Sequence, residues 1–118
     1  CEDMEKNMKE LSHAWSTCEY NNSKQKTFYC MWDKPKELTG YNGKGYEIAH
    51  GGVGGYIASA ESSLEGWKHS KHHNNVILNK DIWRDSKWSA IGIGIYGGFA
   101  TIWFGEKKLK KIFLQENY

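Results

Sequence analysis

Three of the five histidines of the chain stand close together at positions 69, 72 and 73, in the stretch GWKHSKHHNNVIL. At spacings of three and four residues they would share one face of a helix, where imidazole nitrogens can bind a metal ion. The alternative is that a helix ends near Ser70, so that His69 and His72 meet its last carbonyls or lie exposed. We favour this alternative for His69 and His72.

The chain has three cysteines, Cys1, Cys18 and Cys30. Cys18 and Cys30 flank the polar segment EYNNSKQKTFY, and a disulfide between them would add about 3 kcal/mol by restricting the unfolded chain. Two reduced thiols in a cytosolic protein are the alternative. Three roles then stay open for Cys1: attachment of a lipid, pairing with a residue trimmed from the chain, or a free thiol.

Length and charge narrow the classes of protein. At 118 residues the chain is expected to form one domain, residues 1–118. The net charge of +2 is small and Arg84 is the only arginine, so we expect no nucleic-acid partner. The lysine-rich segment at positions 106–113 is expected to be a solvated face. No run approaches the roughly 20 apolar residues that a membrane span needs.

The elements that must position the candidate residues begin with helices. Helical spacing of apolar residues predicts two amphipathic helices. The first covers residues 2–12 and carries acidic residues in its first turn. The second covers residues 59–70, with a serine as N-cap. Residues 19–46 are loop-rich, and residues 74–88 are expected to form short turns.

The remaining elements are strands. The segment from Tyr46 is strand-like, and AIGIGIYGGFATIWFG predicts a β-hairpin with Gly97 and Gly98 as its two-residue turn. Isoleucines occupy one face of the first hairpin strand and glycines the other, whereas the second strand is apolar on both faces. Strands that are apolar on both faces are covered on both. We therefore predict an α/β (α+β) fold with a sheet between two helical layers.

The second half of the chain also resembles a known family. The stretches GWKHSKHHNNVILN and AIGIGIYGGFATIWFG are similar to the Ser-x-x-His segment, the ILN-like run and the paired final strands of the CAP superfamily (cysteine-rich secretory proteins, antigen 5 and pathogenesis-related 1), in its bacterial SCP-like branch. Upstream, LSHAW and GKGYEIAHG resemble its Ser-His segment and its Gly-Glu-Asn strand. The resemblance implies a three-layer α/β/α sandwich around a mainly antiparallel sheet. The family normally has one more helix before residue 1, and its absence fits a trimmed or minimal variant.

The resemblance further implies a cleft that holds two histidines and, in many members, two acidic residues. Carried over by position, the histidines are His13 and His73, because His73 lies three residues after Ser70. The second acidic position falls on Ser70. An ungapped alignment puts Tyr46 at the family's glutamate, so Glu47 would point away from the cleft unless a one-residue β-bulge turns it back.

The chemistry open to such a cleft is limited. Two neutral imidazoles, His13 and His73, suit Zn²⁺ or Cu²⁺, and Glu47 would strengthen the site. We treat zinc as a candidate cofactor and favour histidines that only form hydrogen bonds. His73, Glu47 and Ser70 are the candidate catalytic residues, but the pair of Ser70 and His73 lacks an orienting acid.

The resemblance favours a binding module over an enzyme. Such a module would be secreted or lie at the cell surface or in the periplasm, with its leader removed, and would bind a lipid, a sterol or a protein of a host or cell surface. We expect a monomer. The alternative is a metal-assisted, peptidase-like hydrolase that uses His13, His73 and Glu47. A surface antigen without a ligand is a third class.

Overall fold

The computed structural model describes residues 1–109. Residues 110–118, which include the last part of the lysine-rich segment, lie outside the described residues. The elements follow in the order π-helical turn (Met4–Met8), 3₁₀ turn (Gln25–Thr27), α1 (Tyr29–Trp32), α2 (Lys34–Thr39), β1 (Tyr46–Gly51), α3 (Ala60–His69), α4 (Lys71–Leu78), 3₁₀ turn (Asp81–Trp83), β2 (Ala90–Tyr96) and β3 (Phe99–Gly105). The mixed α/β fold class predicted from the sequence is confirmed.

The three strands form one antiparallel sheet in the order β1-β3-β2. The hairpin prediction is confirmed: Tyr96 lies opposite Phe99 and the turn between them is Gly97-Gly98. Gly97 has a φ of 56°, in the left-handed region that glycine adopts without strain. β3 lies in the middle of the sheet, and most of its side chains on both faces are buried, as its doubly apolar sequence predicts.

One face of the sheet carries the largest group of buried apolar side chains. Helices α3 and α4 pack there, and their Trp67 and Val76 contact Ile48 of β1 with Ala100 and Phe104 of β3. Helix α3 begins at a capping box, in which the Ser59 hydroxyl accepts a hydrogen bond from the backbone of the third helical residue. Ser59 is therefore the N-cap of this helix, and the sequence-based prediction of a serine N-cap is confirmed.

The N-terminal segment covers the opposite face. The rings of Trp15 and Trp103 lie 5.4 Å apart, and the thiol of Cys1 donates to the carbonyl of Gly94 at 3.2 Å. The carboxylate of Glu5 accepts a hydrogen bond from the N–H of the hairpin turn at 3.2 Å. The sheet therefore lies between two layers, of which this second one consists of turns and short helices.

The helix predictions are wrong in extent at three places. The first helix is confined to residues 2–8, because Lys9 adopts a φ of 55° and its N–H bonds to the carbonyl of Met4. Residues 74–88 are not only short turns: α4 follows α3 after one extended residue, Ser70, with φ −99° and ψ 115°. Residues 19–46 contain α1 and α2 in addition to loops.

The isoleucine side chains of β2 are less covered than those of the other two strands. Ile91, Ile93 and Ile95 are 56%, 69% and 46% exposed. The reason is geometric, because α3 and α4 pack over β1 and β3 and do not extend to the third strand. The isoleucine face of the hairpin is thus a surface of the described molecule.

The predicted disulfide is confirmed. Cys18 and Cys30 are bonded, with Cα atoms 5.7 Å apart, and the bridge ties the loop before α1 to that helix. Cys1 is a free thiol. Among residues 1–109, no helix has the length and apolar character needed to cross a membrane.

Candidate functional site

A hydrogen bond joins His13 and Glu47, two of the residues expected in the cleft. The Nδ1 atom of His13 lies 3.0 Å from Oε1 of Glu47. The Glu47 side chain is only 3% exposed and that of His13 is 30% exposed. No bulge is present, since β1 keeps one register with β3 from Tyr46 to Gly51. Glu47 reaches His13 without one because the N-terminal segment brings His13 to the face on which Glu47 lies.

The surroundings of Glu47 change its acidity. Burial raises the pKa of its carboxyl above the ordinary value of 4.5, while the hydrogen bond and charge of His13 and the N-terminal ammonium lower it less. The ring of Tyr20 packs edge-on against His13, with centroids 5.5 Å apart, and burial raises the pKa of its hydroxyl. The buried carboxyl of Glu47 is therefore held between the backbone of the sheet and the imidazole of His13, which the ring of Tyr20 contacts on its other side.

His73 and Ser70 lie at a separate place, where α3 meets α4. Both line a cavity of about 450 Å³ that also contacts Ala49, His50 and Trp67. Burial lowers the pKa of His73, and the charges of His13, His72 and His50 lower it further. His13 and Glu47 do not line this cavity, so the described structure does not bring the two expected pairs of residues into one cleft.

Several expected contacts are not formed in the described chain. No hydrogen bond joins Ser70 to His73 among residues 1–109, so the Ser/His pair is not assembled as a nucleophile and base. Within the same residues, no group of three or more His, Cys, Asp or Glu side chains is arranged to hold a metal ion. His72 is exposed, and Nδ1 of His69 lies 2.7 Å from the Glu65 carbonyl near the end of α3, as the capping interpretation predicts.

One polar chain in the same cavity was not predicted. Nε2 of His50 lies 2.8 Å from the hydroxyl of Tyr56, which donates to Ser62 of α3 at 2.8 Å. Gly66 makes room for this ring, since an added Cβ there would lie 2.9 Å from Nδ1 of His50. The signal in the sequence was the strand alternation that puts His50 on the same face as Ile48, towards α3.

A second, apolar cavity lies at the other side of the sheet. Its volume is about 280 Å³, and its lining includes Trp15, Leu38, Ile91, Trp103 and Leu109. The glycine face of β2 forms part of its floor, where a Cβ added at position 92 would meet only the Cβ of Trp103, at 3.8 Å. The small residues of this strand therefore leave space beside the sheet instead of admitting a helix.

Replacing Glu47 with glutamine is expected to change the pH dependence of stability. The pKa of Glu47 in the folded protein is raised above its ordinary value of 4.5. The stability that Glu47 contributes is therefore fully present below pH 4.5 and is lost as the pH rises through the pKa of the folded state. Across this pH window the free energy of unfolding of Glu47→Gln should rise relative to that of the parent. The rise is about 1.4 kcal/mol for each unit by which the folded pKa of Glu47 exceeds its unfolded pKa.

Urea denaturation at a series of pH values measures this difference. Glu10→Gln is the matched control, because it removes the same carboxyl charge from an exposed position. A difference between Glu47→Gln and the parent that stays constant from about pH 4 to about pH 8 would contradict the raised pKa.

Comparison with known proteins found no relative. No model of a known protein family matches the chain, and neither the curated proteins nor the solved structures contain a match.

Proposed function

We propose that this chain is an extracytoplasmic, CAP-like binding module that holds a single hydrocarbon chain in the apolar cavity. The observation that carries the proposal is the cavity of about 280 Å³ lined by Trp15, Leu38, Ile91, Trp103 and Leu109. Ligand sites in proteins are concave and mostly apolar, with volumes from about 300 Å³ upwards. A cavity at this lower limit favours one acyl chain over a fused sterol ring system.

The polar groups in the lining support an apolar ligand. The hydroxyl of Tyr41 donates to the carbonyl of Lys107 at 2.6 Å and accepts from its N–H at 3.0 Å. The hydroxyl of Thr39 donates to the carbonyl of Pro35 at 2.6 Å and accepts from the N–H of Tyr41 at 3.2 Å. Both hydroxyls are thus engaged within the protein, so a ligand gains most by burying hydrocarbon.

The tryptophans of the lining make the proposal measurable. Trp15 lies between the ring of Trp103, 5.4 Å away, and the ammonium of buried Lys34, 5.3 Å away. A fatty acid that carries bromine atoms on its chain should quench the fluorescence of Trp15 and Trp103 when it enters the cavity. The quenching should saturate as the fatty acid concentration rises. Unbrominated fatty acid should reverse the quenching by competition.

Matched variants test the place of binding. Gly92→Val fills the floor of the cavity and is expected to weaken binding at least tenfold. Gly94→Val makes the same change two residues along the same face, where a Cβ meets Thr101 and Cys1 at 3.6 and 3.7 Å, and should bind as the parent does. His73→Ala should also leave binding unchanged. Equal binding by the parent and Gly92→Val would overturn the proposal.

The disulfide supports the extracytoplasmic part of the proposal. Bonded Cys18 and Cys30 are typical of oxidising compartments and rare in the cytosol. Attachment of a lipid at Cys1 stays a prediction. Such a lipid would have to replace the contacts of the Cys1 thiol with the Gly94 carbonyl and the Thr101 hydroxyl, which lie 3.2 and 3.5 Å away.

The contact between His13 and Glu47 favours a metal-assisted hydrolase as the second candidate. It joins an imidazole to a carboxyl at 3.0 Å, and these are two of the ligand types that catalytic zinc sites use. Calorimetry with Zn²⁺ separates the two functions. Micromolar binding that is lost in both His13→Ala and His73→Ala would support the hydrolase, whereas no binding by the parent would count against it and favour the binding module.

A further inference from the structure

The outer edge of β2 presents unpaired backbone groups. Tyr96 and Phe99 close a two-residue turn, so their N–H and C=O groups bond to each other. In an antiparallel pair these groups alternate in direction along each strand. Those of Ile91, Ile93 and Ile95 therefore point away from β3, and no other residue among 1–109 bonds to them.

The outer edge of β1 differs from that of β2. There, the indole N–H of Trp67 donates to the carbonyl of Ala49 at 3.1 Å, and the N–H of Glu47 approaches the sulfur of Met31 at 3.4 Å. Side chains thus contact two of the outward backbone groups of this edge. The other edge of the same sheet carries no such contact from the described residues.

β2 also lacks the features that usually protect an edge strand. Such edges carry charges, prolines or bulges that prevent another strand from pairing. The sequence of β2 is AIGIGIY, without charge or proline, and its register with β3 is unbroken from Ala90 to Tyr96. Its side chains Ile91, Ile93 and Ile95 are between 46% and 69% exposed.

The strand is complementary to itself. IGIGI reads the same in both directions around Ile93, so two antiparallel copies bring like residues together, and an isologous interface needs a surface that is complementary to itself. In an antiparallel pair centred on Ile93, isoleucine lies opposite isoleucine and glycine opposite glycine. Like charges are not brought together, since neither strand carries a charge.

We propose that two copies of this chain pair antiparallel through β2, so that their sheets form one continuous sheet of six strands. Ile93 lies opposite Ile93 of the second copy, and Ile91 lies opposite Ile95, which gives about six backbone hydrogen bonds. The three isoleucines of each copy form one apolar stripe with those of the other. This proposal departs from the monomer expected from the sequence.

The size of the contact sets its strength. One strand pair with three side chains from each copy buries less than the roughly 800 Å² per partner of a standard interface. We therefore expect a dimer that dissociates in the micromolar range. Sedimentation velocity of the parent chain from about 1 to about 500 µM should show the sedimentation coefficient rising with concentration.

A charge at the two-fold axis tests the pairing. Ile93→Lys places two ammonium groups opposite one another and is expected to raise the dissociation constant at least tenfold. Ile82→Lys is the matched control, because Ile82 is 81% exposed and lies outside the strand. A parent that stays monomeric at every concentration, as it would if another segment or protein covers this edge, overturns the proposal. Equal dimerisation of Ile93→Lys and the parent also overturns it.

A cross-link tests the register. Opposite residues of a hydrogen-bonded antiparallel pair have Cα atoms about 5.5 Å apart, within the range of a disulfide. In a Cys1→Ser background, Ile93→Cys should form a covalent dimer under mild oxidation, with the bond between the two copies of position 93, and Ile82→Cys should not. A dimer of the parent without this cross-link would place the interface elsewhere and refute the register.

Discussion

Replacing Trp67 with alanine is expected to lower the free energy of unfolding by about 3 to 5 kcal/mol. Trp67 is 4% exposed and is the largest side chain of the group formed with Ile48, Val76, Ala100 and Phe104. Its removal leaves a cavity and also takes away the indole donor of the Ala49 carbonyl. Two costs therefore add at one position.

Trp67→Phe separates these two costs. Phenylalanine keeps most of the packing but leaves the Ala49 carbonyl without its donor, so we expect a loss of about 1 to 3 kcal/mol. Leu64→Ala is the control on the same helix, since Leu64 is 46% exposed and should lose much less. Urea denaturation measures all three. If Trp67→Ala lost no more stability than Leu64→Ala, the position of α3 on the sheet would be wrong.

Removal of the disulfide should have the next largest effect. The bridge joins residues separated by 12 positions, and a loop of this size corresponds to about 3 kcal/mol of stability. The closed loop contains Tyr20, which packs against His13, and Met31 follows it beside Glu47. Its opening should therefore also loosen the surroundings of the buried carboxyl.

Denaturation with and without a reductant measures this contribution. The parent should lose about 3 kcal/mol when the bridge is reduced, and Cys18→Ala/Cys30→Ala should show the lower stability in both conditions. The double variant is thus its own control for direct effects of the reductant. Unchanged stability of the parent, with three free thiols detected after reduction, would contradict the prediction.

The parts of the fold that local residues determine could be predicted from the sequence. The turn of the hairpin requires a residue that accepts positive φ, and Gly97 with Gly98 supplies it between two apolar strands. The disulfide could be predicted because two cysteines flank a short polar loop. Helix α3 could be predicted because a serine N-cap precedes its buried Trp67.

The remaining features depend on tertiary contacts. Helix α4 was missed because His72 and His73 follow a C-terminal signal, and only the extended Ser70 shows that a second helix begins. Exposure of the isoleucines of β2 was missed because an alternating strand does not reveal how far a neighbouring helix extends. In each case the local pattern fits both outcomes and packing decides between them.

The residues of the candidate site also fall into those that the sequence indicates and those that only tertiary contacts bring together. His13 and Glu47 are 34 positions apart, and only the resemblance to a family suggested that they meet. The orientation of Glu47 could not be read from its strand, because the side to which His13 is brought depends on the path of the N-terminal segment. His50 carried a signal in the strand alternation, but its partners Tyr56 and Ser62 follow from the loop between β1 and α3.

The strand order β1-β3-β2 has a consequence for how the chain assembles. β1 is synthesised first, yet within residues 1–109 it pairs with β3, so Tyr46 and Gly51 cannot pair until Phe104 and Phe99 have been synthesised. The helices α3 and α4 lie within the loop that this pairing closes, and closing a long loop costs entropy before any contact offsets it. The hairpin, in contrast, needs only neighbouring residues. We therefore expect the last two strands to form the platform on which the earlier half of the chain docks.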